Sequence, residues 1–362
     1  MLFRTSFVHL GEKEYGFQYQ VCIKKEYLME LRTIVKADPS SCKIGYDTGV
    51  MLIGSCFATA IGMKMGEGKL PVMINPSGTL FNPVSVSDTL DIITGKKYFG
   101  IEDLHNHDGV WLSFSHNTEF SSEDPEKVVQ RINRMTEEAN GFLKSAKFLF
   151  ITFGTARVYR WKETGLIVSN CHKMPSACFT PELLTVEDIV TVWKRQLDNL
   201  HIRYPDLKVV FTISPVRHWK DGAHGNQISK STLFLAVEEL LRHPASLGYF
   251  PAYEIVMDDL RDYRYYGADM VHLSETASDY IWNVFSESYL DSGVMGVWKE
   301  VVKITKALQH RLKKDAPGST VKFAERILQQ IEFVASKVPE VDLERERTYF
   351  NGLLTGNGPS VI

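Results

Sequence analysis

The sequence is poor in cysteine, in long apolar runs and in any excess of one charge. Its 362 residues contain five cysteines, an odd number without a Cys-x-x-Cys pair, which argues against a disulfide framework and a structural zinc site. No stretch approaches the roughly eighteen apolar residues of a membrane helix, and no apolar segment follows Arg4, so we expect neither a membrane span nor a signal peptide. The 41 Lys and Arg residues against 44 Asp and Glu residues give a net charge of -3, so we expect no nucleic-acid partner.

The chain instead has the composition of an ordinary globular protein, with 44% hydrophobic and 23% charged residues. Short apolar strands such as VMLIG (50–54) and KVVFTI (208–213) alternate with amphipathic helices. This alternation predicts an α/β fold, a three-layer sandwich in which helices cover both faces of a mostly parallel sheet. We expect one α/β domain over residues 1–294, with an N-terminal arm over 1–48, and a packed helical extension over 295–362.

Local signals predict several element boundaries. Asp124 and Pro125 open a long helix, and Thr185 with Asp188 forms a capping box for another. Residues 98–122 read as a hairpin. Further predictions are a helix over SVSDTLDIITG (85–95) with a serine cap, a strand over YFPAYEIVMD (249–258), and short strands at 3–10 and 17–23.

Ser55 and Cys56 follow the first core strand directly and precede the predicted helix FATAIGMKM (57–65). Ligands of open α/β sheets bind at the carboxyl ends of the strands, and a helix N-terminus offers free N–H groups to a developing oxyanion. Ser55 is therefore a candidate nucleophile. Two alternatives remain: Ser55 serves only as a helix N-cap, or Cys56 is the nucleophile, activated by the same helix N-terminus.

A nucleophilic serine needs a base, and His272 has the most suggestive surroundings of the eleven histidines. It follows Asp269 by three residues, a spacing at which the carboxylate can orient the imidazole. His105 and His107 could indicate a metal, but no third ligand is evident and a solvated loop explains them. The sequence therefore predicts no metal site.

Longer motifs resemble the GSCFA family, a branch of the SGNH/GDSL hydrolase superfamily. These motifs are FRT (3–5), GSCFA (54–58), NPSGTLFNP (75–83), FGTARVY (153–159), NCHK (170–173), SPVRH (214–218), NQISKSTL (226–233) and a long stretch over 249–275. The resemblance covers most of the chain. It implies an SGNH-hydrolase-like, flavodoxin-like arrangement of the sheet.

The resemblance also implies roles for single residues. Ser55 becomes the nucleophile, Asp269 the acid and His272 the base of a catalytic triad. Gly78 in NPSGTL (75–80) matches the glycine that the superfamily's second block contributes to the oxyanion hole. The sequence departs from the third block, G-x-N-D, because Gly154-Thr155-Ala156 contains no asparagine. The candidates for oxyanion stabilisation or substrate binding are Gly78, Asn75, Gly154, Thr155, Asn170, His172 and Arg217, and among them Thr155, Asn75 or Asn170 would replace the missing donor.

We therefore expect a cytoplasmic serine hydrolase that cleaves an ester, such as an acylated carbohydrate, through an acyl-enzyme on Ser55. No cofactor or metal is expected, and the partner is a small-molecule or glycan ester. Two alternatives stay open: a non-catalytic binding or scaffold protein with the same fold, and an acyltransferase that uses the same triad. The sequence leaves the substrate and the oligomeric state undetermined.

Overall fold

The computed structural model describes residues 32–309 and 317–355. Two compact units divide the chain, Met1–Thr33 and Ile34–Ile362, and the fold described here is that of the second. The strands expected at 3–10 and 17–23, together with the FRT motif, lie outside the described residues.

Strands and helices alternate along the described chain, as the apolar pattern predicts. The strands are β1 (Gly49–Gly54), β2 (Val72–Ile74), β3 (His105–His107), β4 (Val110–Leu112), β5 (Ala146–Phe153), β6 (Arg157–Trp161), β7 (Ile167–Val168), β8 (Phe179–Leu183), β9 (Lys208–Ile213) and β10 (Ser246–Phe250). The helices are α1 (Cys56–Glu67), α2 (Pro83–Gly95), α3 (Pro125–Ser145), α4 (Val186–Arg203), α5 (Gly222–Leu240), α6 (Ala252–Glu254), α7 (Glu275–Tyr289), α8 (Val294–Ala307), α9 (Pro317–Lys337) and α10 (Glu344–Leu354).

Five of the described strands form a parallel sheet in the order β10-β9-β5-β1-β2. Strand β5 is central, and β1 lies between β5 and the edge strand β2, with Val50 opposite both Val72 of β2 and Phe148 of β5. The expected hairpin forms from β3 and β4, and β7-β6-β8 is a separate antiparallel sheet. Because the strands of the main sheet are parallel, their carboxyl ends meet along one edge, where α/β proteins place their ligands.

Side chains of β1 alternate between the two faces of the sheet. Val50 and Leu52 belong to an apolar cluster with α1 and α7–α10, whereas Met51 and Ile53 belong to a second cluster with α2–α5. Each face of a buried parallel strand needs its own apolar partner, so the strand is hydrophobic throughout. The predicted three-layer sandwich is confirmed.

Helix α8 packs directly on α1, and α10 contacts the segment that follows it. Trp298 of α8 donates its indole N–H to Lys64 O at 2.8 Å, and Lys69 pairs with Glu346 of α10 at 2.6 Å. The helical segment that begins at Val294 therefore extends the layer on one face of the sheet.

The structure confirms some predicted boundaries and corrects two. Helix α3 begins after Asp124, as predicted. Thr185 and Asp188 form the predicted capping box at the start of α4, with hydrogen bonds of 2.8 and 3.1 Å. The predicted serine cap of α2 is wrong, because Asn82 caps that helix and Pro83 occupies the first position, where proline needs no N–H partner.

The strand predicted over 249–258 is also wrong beyond Phe250. Pro251 follows, which has no N–H for the sheet ladder, and the chain turns into α6 and a π-helical turn over Ile255–Asp259. This early turn starts the connection that carries Asp269 and His272 along the carboxyl edge of the sheet.

Candidate active site

Ser55 lies at a sharp turn between β1 and α1, and its exposed fraction is 1%. Gly54 has a φ of +143°, and a Cβ there would lie 2.1 Å from Thr152 O, so only glycine fits. Ser55 Oγ accepts a hydrogen bond from Phe57 N–H at 3.3 Å. Ser55 is therefore the N-cap of α1, and its hydroxyl sits at the positive end of the helix.

Asn75 braces this turn from the loop after β2. Its Oδ1 accepts the Gly54 N–H at 2.8 Å and its Nδ2 donates to Thr59 Oγ1 at 2.9 Å. Its backbone carbonyl accepts the Gly78 N–H at 2.7 Å. Asn75 thus fixes the position of Ser55 through the backbone of Gly54, and its amide nitrogen, the predicted donor, is bonded to Thr59.

Gly78 lies against a residue that the sequence argument did not select, Asn117. A Cβ on Gly78 would lie 2.1–2.5 Å from the Cγ, Nδ2 and Oδ1 atoms of Asn117, and the Gly78 φ of +83° also favours glycine. Asn117 Oδ1 accepts the Glu119 N–H at 3.1 Å, while within residues 32–309 and 317–355 Nδ2 has no hydrogen-bond partner. Asn117 therefore brings an available amide donor to the glycine of the second block.

The chain after β5 is tied to the same region. The N–H groups of Gly154 and Thr155 both donate to Phe81 O, at 2.7 and 2.9 Å. The Thr155 hydroxyl bonds to Ser229 Oγ at 2.9 Å and accepts the Arg157 N–H at 3.0 Å. These bonds hold the ends of β5 and the second block together, and they occupy the hydroxyl that was predicted as a donor.

Lys230 of α5 is a second residue that sequence reasoning missed. It is fully buried, and its Nζ donates to Gly154 O at 2.7 Å and Ser214 O at 2.6 Å, at the carboxyl ends of β5 and β9. Burial lowers the pKa of Lys230 to about 7, the nearby Cys56 thiol opposes this shift, and the Arg217 guanidinium adds to it. Its place in the motif NQISKSTL (226–233) was the sequence signal for this lysine, but only the tertiary contacts show which carbonyl oxygens it bonds.

Cys56 lies beside Ser55 in the first turn of α1. Burial raises the pKa of its thiol, and this outweighs the lowering influence of its own backbone N–H and of Lys230. A thiol must ionise to act as a nucleophile, so this environment favours Ser55 over Cys56.

Asp269 and His272 form a close pair on the loop before α7. His272 Nδ1 and Asp269 Oδ2 are 2.6 Å apart, and Asp269 Oδ1 accepts the N–H groups of Val271 and His272 at 3.0 and 2.9 Å. These bonds, led by the one to the imidazole, lower the pKa of Asp269 to about 2. Met270, at the tip of the turn, has a φ of +59°, an unusual conformation for a residue with a side chain.

Ser55 and the Asp269–His272 pair lie on segments that are linked through the surroundings of Arg217. In the described residues Ser55 Oγ bonds to Phe57 N–H and the His272 ring to Asp269, with no hydrogen bond between serine and imidazole. Arg217 and Cys56 both lie close enough to Lys230 to influence its pKa. Arg217 also lines a cavity together with Met270 and Val271. The nucleophile turn and the imidazole loop therefore border the same region, and the His272 side chain, 61% exposed, has room to reorient.

A second histidine–carboxylate pair follows β9. His218 Nδ1 and Asp221 Oδ2 are 3.1 Å apart, Arg157 Nε lies 3.4 Å from the same oxygen, and the His218 N–H donates to Asn226 Oδ1 at 2.9 Å. The His218 and Phe81 rings are 6.4 Å apart between centroids, so this pair also borders the carboxyl edge. The H-x-x-D spacing in HWKD (218–221) was the sequence signal for it.

Asn170 and His172 have partners in the neighbouring hairpin. Asn170 Oδ1 accepts the His172 N–H at 2.8 Å, and His172 Nε2 lies 2.9 Å from Ser113 O. Burial lowers the pKa of His172. The contacts tie the segment after β7 to the one after β4, and a direct role of these residues with substrate stays a prediction.

The described residues contain no group of three or more His, Cys, Asp or Glu side chains that could hold a metal ion. His105 instead packs against aromatic rings, with centroids 5.4 Å from Phe114 and 5.2 Å from Trp161. These contacts give His105 a structural explanation, and both histidines of DLHNHDG lie on β3 rather than in the expected solvated loop.

Fold and site together define an α/β protein whose polar residues gather at the carboxyl edge of a parallel sheet. A model of the GSCFA family matches residues 49–285, well over half of the chain, so the protein belongs to the GSCFA family. The matched stretch contains Ser55, Asn117, Lys230 and the Asp269–His272 pair. A search of curated proteins gave no match. Among the described helices, none has the length and apolar character that crossing a membrane requires.

Proposed function

We propose that this protein is a cytoplasmic serine hydrolase of the SGNH type that cleaves a carboxylic ester, such as an acylated carbohydrate. One observation carries the proposal: a hydroxyl at a glycine-dependent strand-to-helix turn shares a sheet edge with an imidazole bonded to a carboxylate at 2.6 Å. The turn presents a nucleophile, and the pair supplies an oriented base.

In the proposed reaction, His272 Nε2 takes the Ser55 hydroxyl proton while Oγ attacks the ester carbonyl carbon. The tetrahedral intermediate then collapses, the bond to the alcohol breaks, and the imidazolium returns its proton to the leaving alkoxide. Water repeats the sequence on the acyl-enzyme and releases the acid and free Ser55. Asp269 keeps the imidazole in one tautomer and stabilises its charged form.

Asn117 is our proposed replacement for the missing asparagine of the third block. Its amide lies against Gly78, its Nδ2 has no hydrogen-bond partner within the described part of the chain, and amide N–H groups stabilise an oxyanion well. Asn75 and Thr155, the donors considered from the sequence, already bond to neighbouring groups.

Hydrolysis of p-nitrophenyl acetate by Ser55→Ala and Cys56→Ala variants tests the proposal, since the two residues are neighbours with opposite expectations. Ser55→Ala should lose at least about 10³-fold in kcat/KM, because the reaction then lacks its nucleophile. Cys56→Ala should keep its activity. Equal turnover by the wild type and Ser55→Ala would overturn the proposal.

A non-catalytic binding protein is the second candidate, and the burial of Ser55 together with its capping bond favours it. A fluorophosphonate probe separates the two, because it labels only an activated serine. Rapid labelling of the wild type at Ser55, absent in His272→Gln, supports the hydrolase. No labelling of the wild type supports the binding protein.

A further inference from the structure

A cavity of about 240 Å³ opens beside the loop that carries His272. Met270 and Val271 of that loop form one side of it, and Arg217 and Trp219 from the segment after β9 lie on another. The cavity therefore adjoins the proposed base.

Arg217 is the unusual member of this lining. Its guanidinium is half-buried, and Nη2 lies 3.3 Å from Met257 Sδ, a weak acceptor. Among residues 32–309 and 317–355, no carboxylate lies within ion-pair distance of Arg217. Arg261, also in the lining, differs because it pairs with Asp258 at 2.9 Å.

The carboxylates around the cavity are already engaged. Asp258 pairs with Arg261, Asp262 pairs with Arg264 at 3.1 Å, and Asp269 is bonded to His272. Lys230, whose pKa is lowered by burial and further by the Arg217 guanidinium, donates its bonds to carbonyl oxygens and offers Arg217 no negative partner. The positive charge of Arg217 is therefore available to a bound anion, and its planar guanidinium fits a carboxylate or phosphate in two-point contact.

Aromatic side chains line the same cavity as Arg217. Trp219 is 46% exposed and Tyr263 is 75% exposed, and the rings of Tyr263 and Tyr266 have centroids 6.0 Å apart. Exposed aromatic faces with polar tips provide flat apolar contact together with hydrogen bonds, which suits the mixed surface of a sugar ring. The cavity thus combines a surface for a ring with a receptor for an anion.

We propose that this cavity binds an acidic sugar unit, whose carboxylate or phosphate is held by Arg217 and whose ring lies on the aromatic side chains. The inference rests on the proposed function in one respect, because it makes the substrate an ester of an acidic glycan. The binding itself needs no turnover and can be tested separately.

Three matched ligands test the site by isothermal titration calorimetry on the full chain: phenyl β-D-glucoside, phenyl β-D-glucuronide and phenyl β-D-glucoside 6-phosphate. They differ at the sugar C6 position, and none contains the carboxylic ester that the proposed reaction cleaves. We expect an anionic ligand to bind the wild type at least about tenfold more tightly than the glucoside, the gain of one charged hydrogen-bonded contact. The better of the two anionic ligands identifies the charged group.

Arg217→Met should abolish the preference for the anionic ligand, whereas Arg261→Met should keep it, because that guanidinium is already paired. Arg217→Lys keeps the charge and should retain part of the preference. Thermal unfolding of each variant checks that it is folded. Equal binding of neutral and anionic ligands by the wild type, no binding of any of the three, or an unchanged preference in folded Arg217→Met would overturn the inference, whatever the result at Ser55.

Discussion

His272 and His218 each bond to a carboxylate three positions away in the sequence, yet their surroundings differ. The Asp269–His272 pair lies on an exposed loop, with exposed side-chain fractions of 52% and 61%. Asp221, the partner of His218, is 9% exposed and also lies 3.4 Å from Arg157 Nε. Both pairs border the carboxyl edge of the same sheet.

The difference indicates what each pair is for. Exposed ion pairs contribute little to stability, so a 2.6 Å bond on a surface loop does little to hold the fold. The second pair joins β6, the segment after β9 and the start of α5 through Arg157, His218 and Asp221. We infer that His272 is the functional imidazole and that Asp221 has a mainly structural role.

Replacement of each histidine by glutamine tests which of the two is the catalytic base, and it should give the largest effects. His272→Gln should lower kcat for p-nitrophenyl acetate by about 10³-fold, since general acid–base catalysis is then lost. His218→Gln should lower kcat less than tenfold, and steady-state kinetics at one pH compares the two. The reverse order would make His218 the base and Asp269–His272 the accessory pair.

Alanine variants of Asn117 and Asn170 test which side-chain amide stabilises the oxyanion in the reaction that His272 is proposed to start. Asn117→Ala should lower kcat by about 10²- to 10³-fold with little change in KM, because the lost bond forms mainly in the transition state. Asn170→Ala is the matched control, since Asn170 Oδ1 caps a turn of its own segment. A large loss of kcat in Asn170→Ala with none in Asn117→Ala would identify Asn170, a candidate from the sequence, as the oxyanion donor.

The sequence predicted those parts of the site that depend on local chemistry. An apolar strand, Gly54, Ser55 and a helix predict the nucleophile turn, because each step follows from neighbouring residues. The D-x-x-H spacing likewise predicts the Asp269–His272 bond, since three residues suffice to close it. The three-layer fold followed from the fully apolar strands, which must be covered on both faces.

The parts that the sequence did not reveal depend on long-range contacts. Asn117 reaches Gly78 only because a hairpin folds over the second block, and its neighbours in HNTEF (116–120) give no sign of this. Lys230 is separated by 76 residues from the Gly154 carbonyl that it bonds. The cavity at Arg217 forms between two segments, 217–219 and 256–271, that are at least 37 positions apart. The surroundings of the Arg217 guanidinium therefore depend on the fold and could not be predicted from its sequence neighbours.

The smallest expected effects are on stability, where Asp221 and Asp269 should differ in how much they contribute to the free energy of unfolding. Asp221→Asn should lower the free energy of unfolding at pH 7 by about 1–3 kcal/mol, because Arg157 and His218 lose a buried charged partner. Asp269→Asn should shift the unfolding midpoint less. Urea unfolding of both variants and the wild type gives the comparison, and a larger loss for Asp269→Asn would make the exposed pair the structural one.

Urea unfolding repeated at acidic pH tests whether the charge of Asp269 stabilises the fold. The folded pKa of Asp269 is about 2, below its ordinary value of 3.8, so the unfolded chain takes up this proton first. The contribution of Asp269 is therefore present above about pH 4 and lost as the pH falls through about 2. The difference between wild type and Asp269→Asn should shrink over that window, because protonated Asp269 and asparagine are both neutral. A difference that stays constant down to pH 2 would mean that the carboxylate charge stabilises nothing, and that the pair is held by the turn of the loop alone.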